Sequence, residues 1–211
     1  MDLKDMTVGE FARGIGAETP LAGGGSVSAM AGAYGAALVM MVSRKTVHNK
    51  KYADEAERFM EIIRQAAPLC EDLLNDIQGD VSSFGQYKQA LALPKGTEEE
   101  KEKRNNALQE GLKAAAQAPL KAANRAVELL PLCREAVEKG NKNAVSDALV
   151  GSLMLRAAIL GAVYNIRINV QSITDDVYRE EMLQKADELQ KRVLESEAEI
   201  FGMVPELTEC L

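Results

Sequence analysis

Residues 19–47 read TPLAGGGSVSAMAGAYGAALVMMVSRKTV, and from Thr19 to Val42 they carry no charge. Pro20 and Gly23-Gly24-Gly25 interrupt regular structure at the start, and from about Ser26 to Val47 the spacing is helical. Val27, Met30, Tyr34, Leu38 and Met41 recur at intervals of three and four as a bulky stripe. Ser28, Gly32, Gly35 and Ala36 form an adjoining small face where another helix can approach closely. An uncharged helix with both faces is expected to be buried on all sides, in the centre of a bundle or a dimer. A membrane span is disfavoured, because lipid-facing helices are richer in Leu, Ile and Phe.

Helical signals continue on both sides of this stretch. Thr7-Val8-Gly9-Glu10 is a capping box opening a short helix to about Gly16. A third helical stretch runs from about Tyr52 to Leu91, with an apolar stripe of Leu69, Leu73, Ile77, Phe84 and Leu91. Pro68 is expected to kink or restart it. Leu93-Pro94-Lys95-Gly96 is a turn, and Thr97-Glu98-Glu99-Glu100 is a second capping box. Glu99 with Lys103, and Glu100 with Arg104, are spaced for i,i+4 ion pairs. Pro119 and Pro131 are expected to divide or bend the region to Lys139, which Gly140-Asn141 closes. Two more helices are expected, about Asn143–Ile173 and Asp175–Met203, the latter packing through Leu183, Ala186, Leu189, Val193 and Ile200. No alternating strand pattern occurs. The expectation is an all-α, single-domain bundle of long kinked helices spanning residues 1–211.

Composition narrows the function. Apolar residues make up 46% of the 211 and charged residues 27%, the mix of a globular protein. The 32 acids against 25 bases leave net −7, which argues against a nucleic-acid partner. His48 is the single histidine, so His-rich zinc sites and Glu-x-x-His di-iron sites are excluded. Cys70, Cys133 and Cys210 are odd in number and far apart, which predicts no disulfide framework, no metal site and a reducing compartment. The start, Met1-Asp2-Leu3-Lys4-Asp5, lacks a basic region followed by an apolar one, so a cytoplasmic location without a membrane partner is expected.

Four features could carry chemistry. Gly23, Gly24, Gly25 and Ser26 could present helix N-terminal N–H groups to an anion, or simply form a sharp turn with Ser26 as N-cap. They match neither a dinucleotide fingerprint nor a P-loop. Asp80 interrupts the stripe of Leu73, Ile77 and Phe84, one turn beyond Asp76 and two beyond Asp72. Turned inward beside a like charge, its carboxyl has a raised pKa and can shuttle protons. Turned outward, it belongs to a solvated acidic edge. Asp147 and Asn165 are 18 residues apart on one helical face, with Asn169 a turn further and Gly151, Ala158, Gly161 and Ala162 between or beside them. That line either borders a cleft or ties helices together. Arg44-Lys45, His48, Lys50-Lys51 and Lys95 are either ordinary surface charge or a landing site for a small polyanion.

The ordered set of motifs resembles the formimidoyltetrahydrofolate cyclodeaminase and methenyltetrahydrofolate cyclohydrolase family, including the C-terminal domain of formimidoyltransferase-cyclodeaminase. The likeness begins at Pro20-Leu21-Ala22-Gly23-Gly24-Gly25-Ser26-Val27-Ser28-Ala29. It continues through Asp80-x-x-x-Phe84, Leu93-Pro94-Lys95, Ala107 to Leu112, Gly140-Asn141, Ser146-Asp147 and Asn165-x-x-x-Asn169 to Asp175. The resemblance implies an all-helical homodimer acting on a tetrahydrofolate derivative, with no separate cofactor. Asp80 matches the family's catalytic aspartate. The resemblance also implies that Asp147, Asn165 and Asn169 hold the pterin, while the glycine turn, Ser26 and Lys95 receive a glutamate or polyglutamate tail. Asp80 would take the N10 proton as N10 attacks the N5-formimidoyl carbon, then return a proton to the departing ammonia. In the cyclohydrolase version water attacks the methenyl carbon instead. A silent folate-binding or scaffold protein is the non-enzymatic alternative. Two positions depart from the family pattern: Ala22 replaces a common proline, and Gln78 replaces an aspartate of the bifunctional enzyme. Substrate is expected to arrive by diffusion or from a separate formimidoyltransferase.

Overall fold

The computed structural model describes residues 2–208. It is all-α: α1 (Val8–Ile15), α2 (Gly24–Val47), α3 (Ala56–Leu91), α4 (Glu98–Lys139), α5 (Val145–Val170), α6 (Asp176–Gly202) and a single turn, α7 (Pro205–Thr208). Three 3-10 turns, at Leu3–Asp5, Lys50–Glu55 and Lys142–Ala144, precede α1, α3 and α5. Both capping boxes form. The Thr7 hydroxyl accepts from the Glu10 N–H while the Glu10 carboxylate accepts from the Thr7 N–H, and Thr97 and Glu100 repeat the pattern. Because Glu100 is committed to the cap, the expected pair with Arg104 does not form; Arg104 instead donates to the Leu91 carbonyl at 3.3 Å. Glu99 and Lys103 are also not paired; Lys101 bridges to Glu98 at 2.6 Å.

The three internal prolines do not end their helices. α3 runs through Pro68, and α4 through Pro119 and Pro131. A proline removes one N–H and leaves the carbonyl four residues earlier without its helical partner. Pro68 and Arg64 are both exposed, so that carbonyl has water within reach. Pro119 is buried, and the carbonyl it frees, on Ala115, accepts a hydrogen bond from the Asn169 side-chain amide of α5 at 2.7 Å. Tertiary contacts thus hold together a helix that local propensity would interrupt.

α2 and α5 are the centre of the packing, and their small residues decide how close they come. A Cβ on Gly35 would lie 2.7 Å from the Leu155 side chain and 3.2 Å from the Gly151 carbonyl. One on Gly161 would lie 2.2 Å from the Ser28 hydroxyl, and one on Gly32 3.1 Å from Leu73 of α3. The small face of α2 therefore carries the intramolecular contacts. The bulky stripe is left outside: Val27 and Tyr34 are exposed, and Met30, Leu38 and Met41 are half-buried. The expectation of a helix enclosed on all sides is thus not met within one chain. In the stripe of α3, Leu73 and Ile77 are fully buried, whereas Phe84 and Leu91 are exposed. α2 and residues 142–170 are long and apolar enough to cross a membrane by length and composition alone; their packing on one another and on α3 and α4 explains much of that character.

Gly140 ends α4, and the next residue fastens that end to α2. The Asn141 N–H donates to the Thr46 hydroxyl at 2.9 Å, and its side-chain amide donates to the Lys45 carbonyl at 3.2 Å. Cys70 and Cys133 are buried thiols, with burial pushing Cys133 up to about 12; Cys210 lies outside the described residues. Gly35→Val should lower stability by about 1–3 kcal/mol, because the buried Leu155 cannot yield without straining the core. Thermal denaturation checks this, and an unchanged Tm would contradict the α2–α5 approach described above.

Candidate active site

An open cleft of about 470 Å³ lies where the start of α2 meets the second half of α3 and the end of α5. The Pro20-Leu21-Ala22 segment forms its lip. That segment is tied to α1: the Leu21 N–H donates to the Gly14 carbonyl at 3.2 Å, and the Leu21 side chain occupies the space a Cβ on Gly14 would need. Asp80 and Lys88 of α3 and Asn165 and Asn169 of α5 contribute polar side chains to the cleft.

α2 begins two residues earlier than expected. Gly23 is its N-cap, so Ser26 sits in the first turn and does not cap the helix. The first intrahelical bond runs from Val27 N–H to the Gly23 carbonyl, which leaves the N–H groups of Gly24, Gly25 and Ser26 without helical partners. No glycine among the described residues has a positive φ, so the glycines are not required for unusual backbone geometry. They provide space. A Cβ on Gly25 would stand 2.1 Å from one Asp80 carboxylate oxygen, and one on Gly24 3.2 Å from the Asn165 amide. Gly25 lets Asp80 rest directly on the first turn of α2.

Burial raises the Asp80 pKa above its ordinary value, while the Ser26 hydroxyl and backbone N–H act in the opposite direction. The expected contribution from a neighbouring like charge does not apply. Asp76 forms ion pairs with Arg125 and Lys121, and Asp72 with Arg125 at 3.0 Å, so both acids are neutralised. The Ser26 oxygen lies 2.9 Å from Asp80 Oδ2 and 3.0 Å from the Ile77 carbonyl. One hydroxyl has one proton to donate. When Asp80 is ionised the hydroxyl donates to it. When Asp80 is protonated, Asp80 donates to Ser26 and the hydroxyl turns to Ile77. Both charge states therefore keep a partner, as a group that takes and returns a proton requires.

The two asparagines are oriented by carbonyls. Asn165 Nδ2 donates to the Gly161 carbonyl at 2.8 Å and Asn169 Nδ2 to Ala115 at 2.7 Å. A carbonyl only accepts, so each amide nitrogen gives one of its two N–H groups to it, and each Oδ1 is left as an acceptor. The cleft thus combines acceptors with a half-buried carboxyl. Phe84 and Lys88 follow Asp80 at successive turns of α3 and line the cleft, with the Lys88 ammonium 5.1 Å from the Phe84 ring centre. Sequence reasoning missed Lys88, although its i+8 spacing from Asp80 was a usable signal.

Lys95 lies exposed in the turn after α3 and Asp147 near the start of α5; neither lines this cleft. Asp147 is roughly 27 Å along the helix from Asn165 by helical rise, and it pairs with Lys45 at 3.3 Å. The small residues between them pack on α2. The Arg44–Lys51 cationic cluster likewise lies outside the cleft, with His48 Nδ1 at 2.7 Å from the Arg44 carbonyl. Among the described residues, no three His, Cys, Asp or Glu side chains cluster as a metal site requires.

The family model described as formiminotransferase-cyclodeaminase matches residues 7–188. The chain belongs to that family. A methenyltetrahydrofolate cyclohydrolase from Methylorubrum extorquens is 35% identical over 183 residues, covering 87% of this chain and 88% of the relative. The formimidoyltransferase-cyclodeaminase of Rattus norvegicus is 32% identical over 95% of this chain, which spans 37% of that protein. Among solved structures, the formiminotetrahydrofolate cyclodeaminase of Thermotoga maritima aligns with a TM-score of 0.86 at 25% identity, covering 97% of this chain and 98% of its own.

Replacing Ser26 with Ala removes a group that lowers the Asp80 pKa, so Asp80 should titrate still higher. A pKa raised in the folded state means stability is lost as pH rises from the unfolded-state value through the folded one. Ser26→Ala extends that window upward. Carboxyl-carbon NMR titration of Asp80 checks the shift, and a fall in pKa would contradict the opposing action of the hydroxyl.

Proposed function

We propose that this member of the family is a folate one-carbon enzyme, a 5-formimidoyltetrahydrofolate cyclodeaminase that forms 5,10-methenyltetrahydrofolate and ammonia. One observation carries the reading: a half-buried carboxyl with a raised pKa faces an open cleft and has a partner in either charge state. The formimidoyl group enters protonated, as its iminium; as N10 attacks its carbon, ionised Asp80 accepts the N10 proton. The tetrahedral carbon then expels the former imino nitrogen, to which Asp80 returns a proton. Ionised again, it lies beside the positive charge of the methenyl product and stabilises it.

The Oδ1 atoms of Asn165 and Asn169 suit the N–H donors of a pterin edge, and Phe84 offers a face for the benzoyl ring. Lys88, rather than Lys95, is the cation placed for the glutamate tail, with the open N–H groups at the start of α2 close by. Cyclohydrolase action is the second reading, favoured by the Methylorubrum relative whose length this chain matches. There Asp80 draws a proton from water as it attacks the methenyl carbon and passes it to N5, whose bond to that carbon breaks as the new hydroxyl gives up its proton to solvent, leaving 10-formyltetrahydrofolate. A separate formimidoyltransferase would supply the cyclodeaminase substrate.

Asp80→Asn should lower turnover about 10²–10⁴-fold in whichever of the two reactions the parent performs, with folate binding largely kept. Spectrophotometry of methenyltetrahydrofolate reads both reactions. A near-normal rate in the variant would remove Asp80 from the chemistry.

A homodimer is part of this reading. Val27 and Tyr34 on α2, and Val150, Leu153, Tyr164 and Ile168 on α5, are exposed apolar side chains at helical spacing. A second copy covering them would complete the enclosure that the uncharged α2 sequence predicts. Sedimentation equilibrium should give twice the chain mass, and a monomer at micromolar concentration would contradict it.

A further inference from the structure

Asn169 is the one cleft side chain whose orientation depends on a defect in another helix. In an unbroken α4 the Ala115 carbonyl would accept from the N–H of residue 119. That residue is Pro119, which has no N–H to donate. The Ala115 carbonyl is on a buried residue and borders the cleft, so it needs another donor. Asn169 Nδ2 supplies it at 2.7 Å, which turns Oδ1 into the committed acceptor of that side chain. Pro119 itself does not line the cleft.

We propose that Pro119 is a positioning residue for substrate recognition: by withholding its N–H from Ala115, it fixes Asn169 with its oxygen available to the ring of the bound folate. The inference rests on the folate reading given above. Any other residue at 119 restores a helical N–H that shares the Ala115 carbonyl and loosens its hold on Asn169. The Asn169 amide is then free to rotate and present its nitrogen, a donor, to a ring edge that also donates. In α4 the far better helix propensity of alanine offsets the packing lost with the buried proline ring. An ordinary packing role and the positioning role thus make opposite forecasts for the folded protein.

The test is a double-mutant cycle of Pro119→Ala and Asn169→Ala, reading KM, kcat and Tm on the folate the parent converts. The expected result for Pro119→Ala is a KM raised about tenfold, the worth of one well-placed hydrogen bond, with kcat within about twofold and no drop in Tm. In the double variant KM should equal that of Asn169→Ala alone, because the proline acts only through that side chain. An unchanged KM in Pro119→Ala overturns the proposal. So do additive KM effects, or a joint fall of kcat and Tm. Failure of the folate reading itself appears in the parent, as conversion of neither folate. Hydrogen exchange of the Asn169 side-chain amide then decides the positioning role: protection lost in Pro119→Ala supports it, and equal exchange in both proteins ends it.

Discussion

The contact of the Asp80 carboxylate with the first turn of α2 is the constraint on which the rest of the site depends. Asp80 stands midway along the second half of α3, and its carboxyl occupies the space beside Gly25 where any larger residue would put a Cβ. Burial there disfavours the charge, while the Ser26 hydroxyl and N–H favour it. The balance is a carboxyl that holds its proton more tightly than a surface acid and still ionises. Moved outward, it would be an ordinary surface carboxylate; sealed further, it would remain neutral. α3 must also pass Pro68 unbroken to present it, so the site relies on a helix continuing past its own local breaker.

The close approach of α2 and α5 follows from the same use of small residues. Gly32, Gly35, Gly151 and Gly161 bring backbone near side chain across that interface, and Ser28 fills the space left by Gly161. This turns the bulky stripe of α2 outward. It also sets the C-terminal half of α5 beside the start of α2, so that Asn165 reaches Gly24 and Asn169 reaches α4. A buried proline in α4 and an asparagine in α5 complete one another there. Each is a local irregularity, and together they leave the Ala115 carbonyl paired at the cleft wall.

Much of this was legible in the chain. The two capping boxes form with the predicted partners because their spacing is a local property of one helical turn. The polar break that Asp80 makes in an apolar stripe was visible but left inward and outward placements open, and the structure half-buries it. Burial as the source of its raised pKa was legible as well; the like-charge contribution was not realised, since Arg125 and Lys121 reach Asp72 and Asp76 from α4, far away in sequence. The glycine turn was found, but the space that Gly25 and Gly24 leave for Asp80 and Asn165 was not, because those side chains arrive from distant helices. Asp147 shares a helical face with Asn165, yet helical rise carries it away from the cleft. Lys88 was passed over for Lys95 because a cation in a turn looks available, whereas the i, i+4, i+8 row from Asp80 through Phe84 to Lys88 faces the cleft.

Sequence alone determined the helical class, the order and approximate limits of the long helices, the capping boxes and the candidate aspartate. All of these depend on periodicity and on contacts within one turn. Tertiary structure alone decided which face of α2 is covered within the chain, why three prolines leave α3 and α4 unbroken, and which cation stands at the cleft. Those outcomes depend on groups brought together from distant segments. A carbonyl orphaned in one helix finds its donor in another, and no local pattern records where that donor will be.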